Sequence, residues 1–466
     1  MSYIKKVAFS KHSIFNNSEV ELKIKNKNSK DNYITLVIGE NGTGKSEFLK
    51  EIVEYFRARK NSNGEHSNKR ILVETSNSKD VGWPKKIIAS SFSLNDKFPF
   101  LNKVAQQNNN GFYKYLGIRT ASNNAFTGKI RDELFYCMMR ISSDKSKLKL
   151  FMSVLEEFNL PLRYSFEFSQ SRGLEEFYDY IYDNEKSTGN EVVKSIVDEF
   201  RISNRFTPPT LIKMQNDISI KKELLFSIKK TFTKSEKKVS LNFDLNEIIN
   251  NGIPSNSLYI NELLQSKFIT IKDFSTEGNI KFQHLSSGQF HLLKSIITLM
   301  SEVEDESLIL IDEPEISLHP SWQMNYMSLL NRMLSKFKNC HVVVATHSHL
   351  IVTTLPVSNS DVIVAKKNRN DEIIFEILEG SPSGWSSDMI LYSVFGVLNR
   401  NNQSFDFDVK MVASLMSNWN NTEINLRNLR ESVHRLMKYE LPNADPLSLF
   451  IIESKNFLEK VDNETI

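Results

Sequence analysis

The hydrophobic positions change period several times along this chain. Short alternating runs (Ile4, Val7, Phe9; Val20, Leu22, Ile24) predict two antiparallel strands within residues 1–33. The unbroken run Ile34-Thr35-Leu36-Val37-Ile38 predicts a buried strand, and Phe48, Leu49, Ile52, Val53 and Phe56 then fall on one side of a helix. Residues 61–69 are polar and predict a loop, while Ile71-Leu72-Val73 and Lys86–Ser93 predict further strands. From about 125 to 265 the spacing turns helical (Leu134, Met138, Met139; Leu148, Phe151, Met152, Leu155), punctuated by Pro161, Pro208-Pro209 and Pro254. This predicts an inserted helical lobe. Strand patterns return at Phe268–Ile271, Ile280–Phe282, Ser307–Ile311 and His341–Ala345, with helices between the later ones. Beyond 381 the pattern is helical again, around Met389, Ile390, Val394 and Phe395 and later Leu426, Leu429, Val433 and Leu436.

Composition changes this picture little. A chain of 466 residues has room for two or three domains, and 40% apolar with 25% charged residues is ordinary for a soluble globular protein. A formal charge of +3 does not by itself argue for nucleic acid. Two cysteines, Cys137 and Cys340, give neither a disulfide framework nor a thiolate metal site. The start of the sequence has no apolar signal region, and no run approaches the ~20 apolar residues that cross a bilayer, so the expectation is a cytoplasmic protein without membrane contact.

Four stretches carry candidate chemistry. Gly39-Glu40-Asn41-Gly42-Thr43-Gly44-Lys45-Ser46 lies between a buried strand and a helix, where turned backbone N–H groups and the helix dipole cradle an anion. Lys45 is expected to reach the β- and γ-phosphates of a nucleoside triphosphate, and the Ser46 hydroxyl to hold Mg²⁺. Leu285-Ser286-Ser287-Gly288-Gln289 opens a helix whose inner face is Leu292, Leu293, Ile296 and Ile297, a second anion-binding tip. In Leu308-Ile309-Leu310-Ile311-Asp312-Glu313-Pro314-Glu315 a buried strand ends in carboxylates, and ligands of open α/β sheets bind at such carboxyl ends. Asp312 is expected to hold the Mg²⁺ hydration shell and Glu313 to polarise the attacking water; Glu315 reads as a cap or bridge. Finally, His347 ends the strand Val342–Thr346, where a neutral imidazole can bond a γ-phosphate oxygen.

These residues resemble the Walker A, signature, Walker B, D-loop (Leu318-His319-Pro320) and switch-histidine motifs of ABC-type ATPase heads. The Ser-Leu-His-Pro after Asp312-Glu313 is similar to the RecF, SMC and overcoming-lysogenization-defect class rather than to transporter subunits. The wider pattern (Ile87–Pro99, Tyr115–Thr120, Gly384–Asp388) resembles bacterial anti-phage defence ATPases of the Septu PtuA kind. The resemblance implies an α/β P-loop head made of residues 1–120 and 266–380, with the helical insertion at 121–265 and a helical partner-docking region at 381–466. It implies ATP and Mg²⁺ as ligands, with Asn41, Gly42, Thr43, Gly44, Lys45 and Ser46 on one nucleotide. It also implies a head-to-tail homodimer in which Ser286, Ser287, Gly288 and Gln289 close on the partner's nucleotide. Ser287 stands where the family usually has glycine. The glutamine that in the family usually follows the first lobe's central strand is not identifiable; Gln106 and Gln107 are candidates by position, but read better as part of an Asn/Gln-rich linker.

Three functions compete. The first is an ATP-driven switch subunit of a defence complex controlling a separately encoded effector, a nuclease by expectation, because the chain offers no second catalytic centre. Glu379-Gly380 with Asp406-Phe407-Asp408 only imitates a topoisomerase-primase nuclease site in text that is otherwise helical. The second is a RecF-like repair ATPase that binds duplex DNA directly. Lys221–Lys238, with seven lysines and two acidic residues, could serve it or be a solvated helix face. The third, a transporter subunit, is disfavoured by Ser-Leu-His-Pro and by the insertion.

Overall fold

The structure is a computed structural model. It describes residues 3–22, 32–61, 70–75, 83–93, 95–100, 111–117, 127–170, 231, 238–265, 269–277, 280–281, 284–355, 359–368, 370–378, 390–391, 403–420, 422–439 and 446–464. Most of the lysine-rich stretch, Gln106, Gln107, Ile118–Thr120, Glu379-Gly380 and Gly384–Asp388 lie outside them.

Strands β1 (Ile4–Phe9) and β2 (Glu19–Glu21) form the antiparallel pair expected from their alternation. β3 (Tyr33–Gly39) runs into α1 (Lys45–Asn61), followed by β4 (Ile71–Thr75), β5 (Lys86–Ser91) and β6 (Tyr113–Tyr115). Then come α2 (Thr127–Ser143), α3 (Lys145–Glu157), β7 (Arg163–Gln170), β8 (Lys238–Asp244), α4 (Leu245–Asn251) and α5 (Asn256–Gln265). β9 (Ile269–Thr276) and β10 (Ile280–Lys281) precede α6 (Ser287–Glu302), β11 (Ser307–Asp312), α7 (Pro320–Leu334), β12 (His341–Thr346) and α8 (His349–Val352). β13 (Ser360–Lys367) and β14 (Ile373–Ile377) make a hairpin, and α9 (Gln403–Ser417), α10 (Glu423–Leu436) and α11 (Pro446–Glu464) follow.

The seven-stranded sheet has the order β14-β13-β3-β12-β11-β5-β6, parallel throughout except for the β13–β14 pair. Its central strands β3, β12 and β11 are buried at every position because both faces are covered. Residue parity sorts them into two cores. Ile34, Leu36, Ile38, Ile309, Ile311, Val342 and Val344 pack with α2, α3, α6 and α7. Val37, Leu308, Leu310, Val343 and Ala345 pack with Phe48, Leu49, Ile52, Val53 and Phe56 of α1 and with the β2-β1-β4 sheet. The buried face of α6 is the expected set Leu292, Leu293, Ile296 and Ile297.

The segment expected to be helical is so in α2 to α5, and it also contributes strands. β7 and β8 join β9 and β10 in an antiparallel sheet of order β10-β9-β7-β8. Tyr164, Phe166 and Phe168 alternate into the core, where Phe135, Phe166, Phe243 and Phe274 meet at ring-centroid distances of 4.8–6.1 Å. The sheet crosses residue 265, so the residues on either side of that boundary share one core.

Helices α9, α10 and α11 form a separate cluster around Phe405, Val412, Leu429, Val433 and Leu436. Asp408 is buried there, accepting bonds from Ser432 Oγ at 2.8 Å and from Arg435 Nε and Nη2 at 2.8 and 2.7 Å. This fork-to-fork pair makes Asp408 a structural residue.

At the far end of α6, Glu302 is buried beside Lys86 Nζ (2.8 Å), Lys114 Nζ (3.4 Å) and Arg140. Burial pushes its carboxyl up, but Lys114, Lys86 and Arg140 outweigh that and hold it down at about 2. Removing one partner of a buried pair strands the other charge. Glu302→Ala is therefore expected to cost about 3 kcal/mol, read as a lowered urea midpoint at unchanged m-value.

Candidate nucleotide site

β3 delivers the phosphate loop and α1 begins at Lys45, so the loop wraps the positive end of a helix. Gly44 has φ +79°, and a Cβ there would lie 2.7 Å from the Phe15 ring, so only glycine fits. Thr43 Oγ1 donates to Glu40 O at 2.8 Å and closes the loop on itself. Lys45 is buried and its ammonium donates to Gly39 O and Glu40 O, both at 2.8 Å. Its pKa is lowered by burial, against the pull of Glu313, Glu315 and Asp312. Asn41 and Gly42 are exposed at the loop's crest.

The carboxylate strand arrives two strands away, across β12. Ser46 Oγ nonetheless donates to Asp312 Oδ1 at 3.1 Å, so the two expected Mg²⁺ residues meet. A hydroxyl and a carboxylate supply the hard oxygen donors that Mg²⁺ takes, with phosphate oxygens and water completing its octahedron. Asp312 is 2% exposed. Burial pushes its carboxyl up to about 7, Ser46 partly offsets that, and the charges of Glu313, Asp96 and Glu315 add to the rise. Asp96 is a site neighbour the sequence did not single out. It is buried after β5, accepting from Phe98 N at 3.0 Å and Tyr115 Oη at 2.7 Å.

Glu313 is half-buried at φ +50°, its N–H bonded to Ala345 O at 2.9 Å. Its charge acts on Lys45, Asp312 and His347. Glu315 bridges, as its reading anticipated: Oε1 accepts from His347 N at 2.8 Å and lies 2.9 Å from His347 Nδ1. The hydrogen bond to Glu315 raises the His347 pKa. One detail of the sequence reading changes here. With Nδ1–H turned to a carboxylate, a neutral ring has only a lone pair at Nε2; it donates to a phosphate oxygen only as the imidazolium.

Ser286 caps α6. Its Oγ accepts from Gln289 N at 3.2 Å while Gln289 Oε1 accepts from Ser286 N at 3.1 Å, a reciprocal capping box. Ser286, Ser287 and Gln289 are exposed, so this tip faces outward. Gly288 is buried against the loop after Glu315, where a Cβ would lie 2.5 Å from Ser317 O. His291 Nδ1 lies 3.4 Å from Ile316 O and its ring stacks on Phe92 at 4.4 Å. The structure thus joins Lys45, Ser46, Asp312, Glu313 and His347 in one site. Residues 286–289 meet each other and the Ser317 loop instead.

Fold and site together are those of an α/β P-loop nucleotide-binding sheet, with its phosphate loop, carboxylates and histidine along one carboxyl edge. A sequence family described as "AAA domain, putative AbiEii toxin, Type IV TA system" matches residues 155–353. The Septu protein PtuA of Bacillus thuringiensis is 28% identical over 162 residues, 31% of this chain and 39% of that protein. The "Retron Ec83 probable ATPase" of Escherichia coli is 26% identical over 227 residues, 46% of this chain and 38% of that one. Among solved structures, the Smc head domain of Pyrococcus furiosus bound to ScpA aligns at TM-score 0.33 and 12% identity, over 81% of this chain and 96% of that one. The chain is similar to ABC-like ATPases of the defence class, and the matches span less than two fifths of those curated relatives. Among the described residues no helix is long and apolar enough to cross a membrane.

The elevated pKa of Asp312 has a stability consequence. A group bound more tightly to its proton in the folded chain stabilises at low pH, and that contribution is lost as pH rises from 3.8 through about 7. At pH 8, Asp312→Asn is expected to raise the melting temperature of the nucleotide-free protein by about 2 °C or more while eliminating Mg²⁺-dependent turnover. Calorimetry with and without Mg²⁺ checks both halves.

Proposed function

We propose that this chain is the ATP-hydrolysing switch subunit of a bacterial anti-phage defence complex, working in the cytoplasm as a head-to-tail dimer that controls a separately encoded nuclease. The observation that carries the reading is the meeting of Lys45, Ser46, Asp312 and the Glu315–His347 pair at one sheet edge, while the Ser286 tip faces outward. Such a site needs hydrogen-bond donors from elsewhere to cover the terminal phosphate, and the Ser286 tip of a second copy has them to offer.

In this reading residues 1–120 and 266–380 are one head, 121–265 an insertion and 381–466 the docking region. The α9–α11 cluster supports the last assignment, since Phe407, Ile424, Leu449 and Ile452 are more than half exposed on it. Asn41–Ser46 cradle the phosphates with backbone N–H groups and the Lys45 ammonium, which must leave the Gly39 and Glu40 carbonyls to do so. Ser46 and Asp312 would hold Mg²⁺, which would supply positive charge against the phosphates. Glu313 takes the proton of the attacking water, and His347 donates to the terminal phosphate. Ser286–Gln289 act on the partner's nucleotide.

Lys45→Ala is expected to abolish ATP binding in equilibrium dialysis; retained affinity would remove the premise. Glu313→Gln is expected to bind ATP normally, hydrolyse it about 100-fold or more slowly and accumulate as a closed dimer in analytical ultracentrifugation. Co-purification with its genomic neighbour tests the partner, and a stoichiometric nuclease is the expected result. Salt-sensitive binding to bare duplex DNA instead would favour the repair ATPase.

A further inference from the structure

Glu315 is an expensive residue where it stands. It is 6% exposed, and a carboxylate out of water is stabilised only by hydrogen bonds or an opposite charge. Two of the bonds that meet this need come from His347 and land on Oε1, and the residue's own backbone N–H adds a third. Oε2 is buried without a hydrogen-bond partner. A purely structural role would be filled as well by an apolar side chain, which needs no partner at all.

The imidazole explains the choice. Its side chain is 44% exposed, so packing alone constrains the ring less than a core position would. The Glu315 carboxylate fixes it twice, at the backbone N–H and at Nδ1. Acceptance at Nδ1 selects the tautomer and leaves Nε2 as the nitrogen available to a ligand. The charged groups facing His347 are Glu315 and Glu313 from the loop after β11, which favour the imidazolium, and Lys45 from α1, which opposes it.

We propose that Glu315 is a positioning residue that holds His347 with Nδ1–H on its own carboxylate, so that the ring meets the terminal phosphate as an imidazolium donating from Nε2. The inference rests on the ATPase reading for the identity of the phosphate, but the state of the ring does not. Glu315 touches no substrate; it acts through His347. It also sits two residues beyond Glu313, so one short loop holds both the base and the support of the phosphate donor.

The test uses the full chain with ¹⁵N-labelled histidine, His347 being assigned by its loss in His347→Gln. In wild type the His347 nitrogens are expected to show Nδ1 protonated and a titration at higher pH than in Glu315→Gln. Identical titration and tautomer in the two proteins would overturn the proposal whether or not ATP is hydrolysed. In kinetics, Glu315→Gln is expected to lower kcat about tenfold with KM for ATP within about twofold. In a His347→Ala background the same change should cost nothing further. An equal loss in both backgrounds would mean that Glu315 acts elsewhere. Should Glu315→Gln fold poorly by circular dichroism, Glu315→Asp serves as the second variant, its shorter arm expected to lower the pH at which His347 titrates relative to wild type; a titration and tautomer identical to wild type would again count against the proposal.

Discussion

The structure depends on an unbalanced set of buried charges. One ammonium, Lys45, answers to Asp312, Glu313 and Glu315, with Asp96 acting on Asp312 from behind. In water such charges would be screened; in a low-dielectric pocket each raises the cost of the next. The folded chain limits that cost in three ways. Lys45 bonds to loop carbonyls, Glu315 binds His347, and the rise in the Asp312 pKa lets a proton stay. A triphosphate alone would add negative charge to this set.

Much of this was legible in the chain because it is written in continuous short stretches. The strands β3, β11 and β12 are buried at every position around apolar runs that give way to polar residues at their carboxyl ends, so the site's edge of the sheet could be read directly. The inner face of α6 and the bridging character of Glu315 were likewise visible. The strands of the insertion were not. Tyr164, Phe166 and Phe168 show a clean alternation, but Pro161 beside them and helical text before them gave β7 the look of an interrupted helix. Its partners β8 and β9 lie about seventy and a hundred residues on, and no local pattern reports pairing over that distance.

Asp96 and the charge state of His347 illustrate a different gap. Asp96 sits in no motif, and only packing beside Asp312 gives it influence. For His347 the sequence supplies the residue but not the nitrogen that is occupied; that follows from a single 2.9 Å contact. Sequence reading names the groups, while proton positions depend on neighbours brought in from other elements.

The loop from Glu313 to Ser317 begins and ends on non-glycine residues with left-handed backbone, φ +50° and +63°. Such conformations persist where surroundings over-determine them. Here one end hangs from the Ala345 carbonyl and the other is wedged against Gly288 at the outward tip of α6. Five residues braced in this way act as a strut with little slack. A displacement of a few tenths of an ångström at Glu313 is then felt at the Ser286–Gln289 tip, without any helix having to bend.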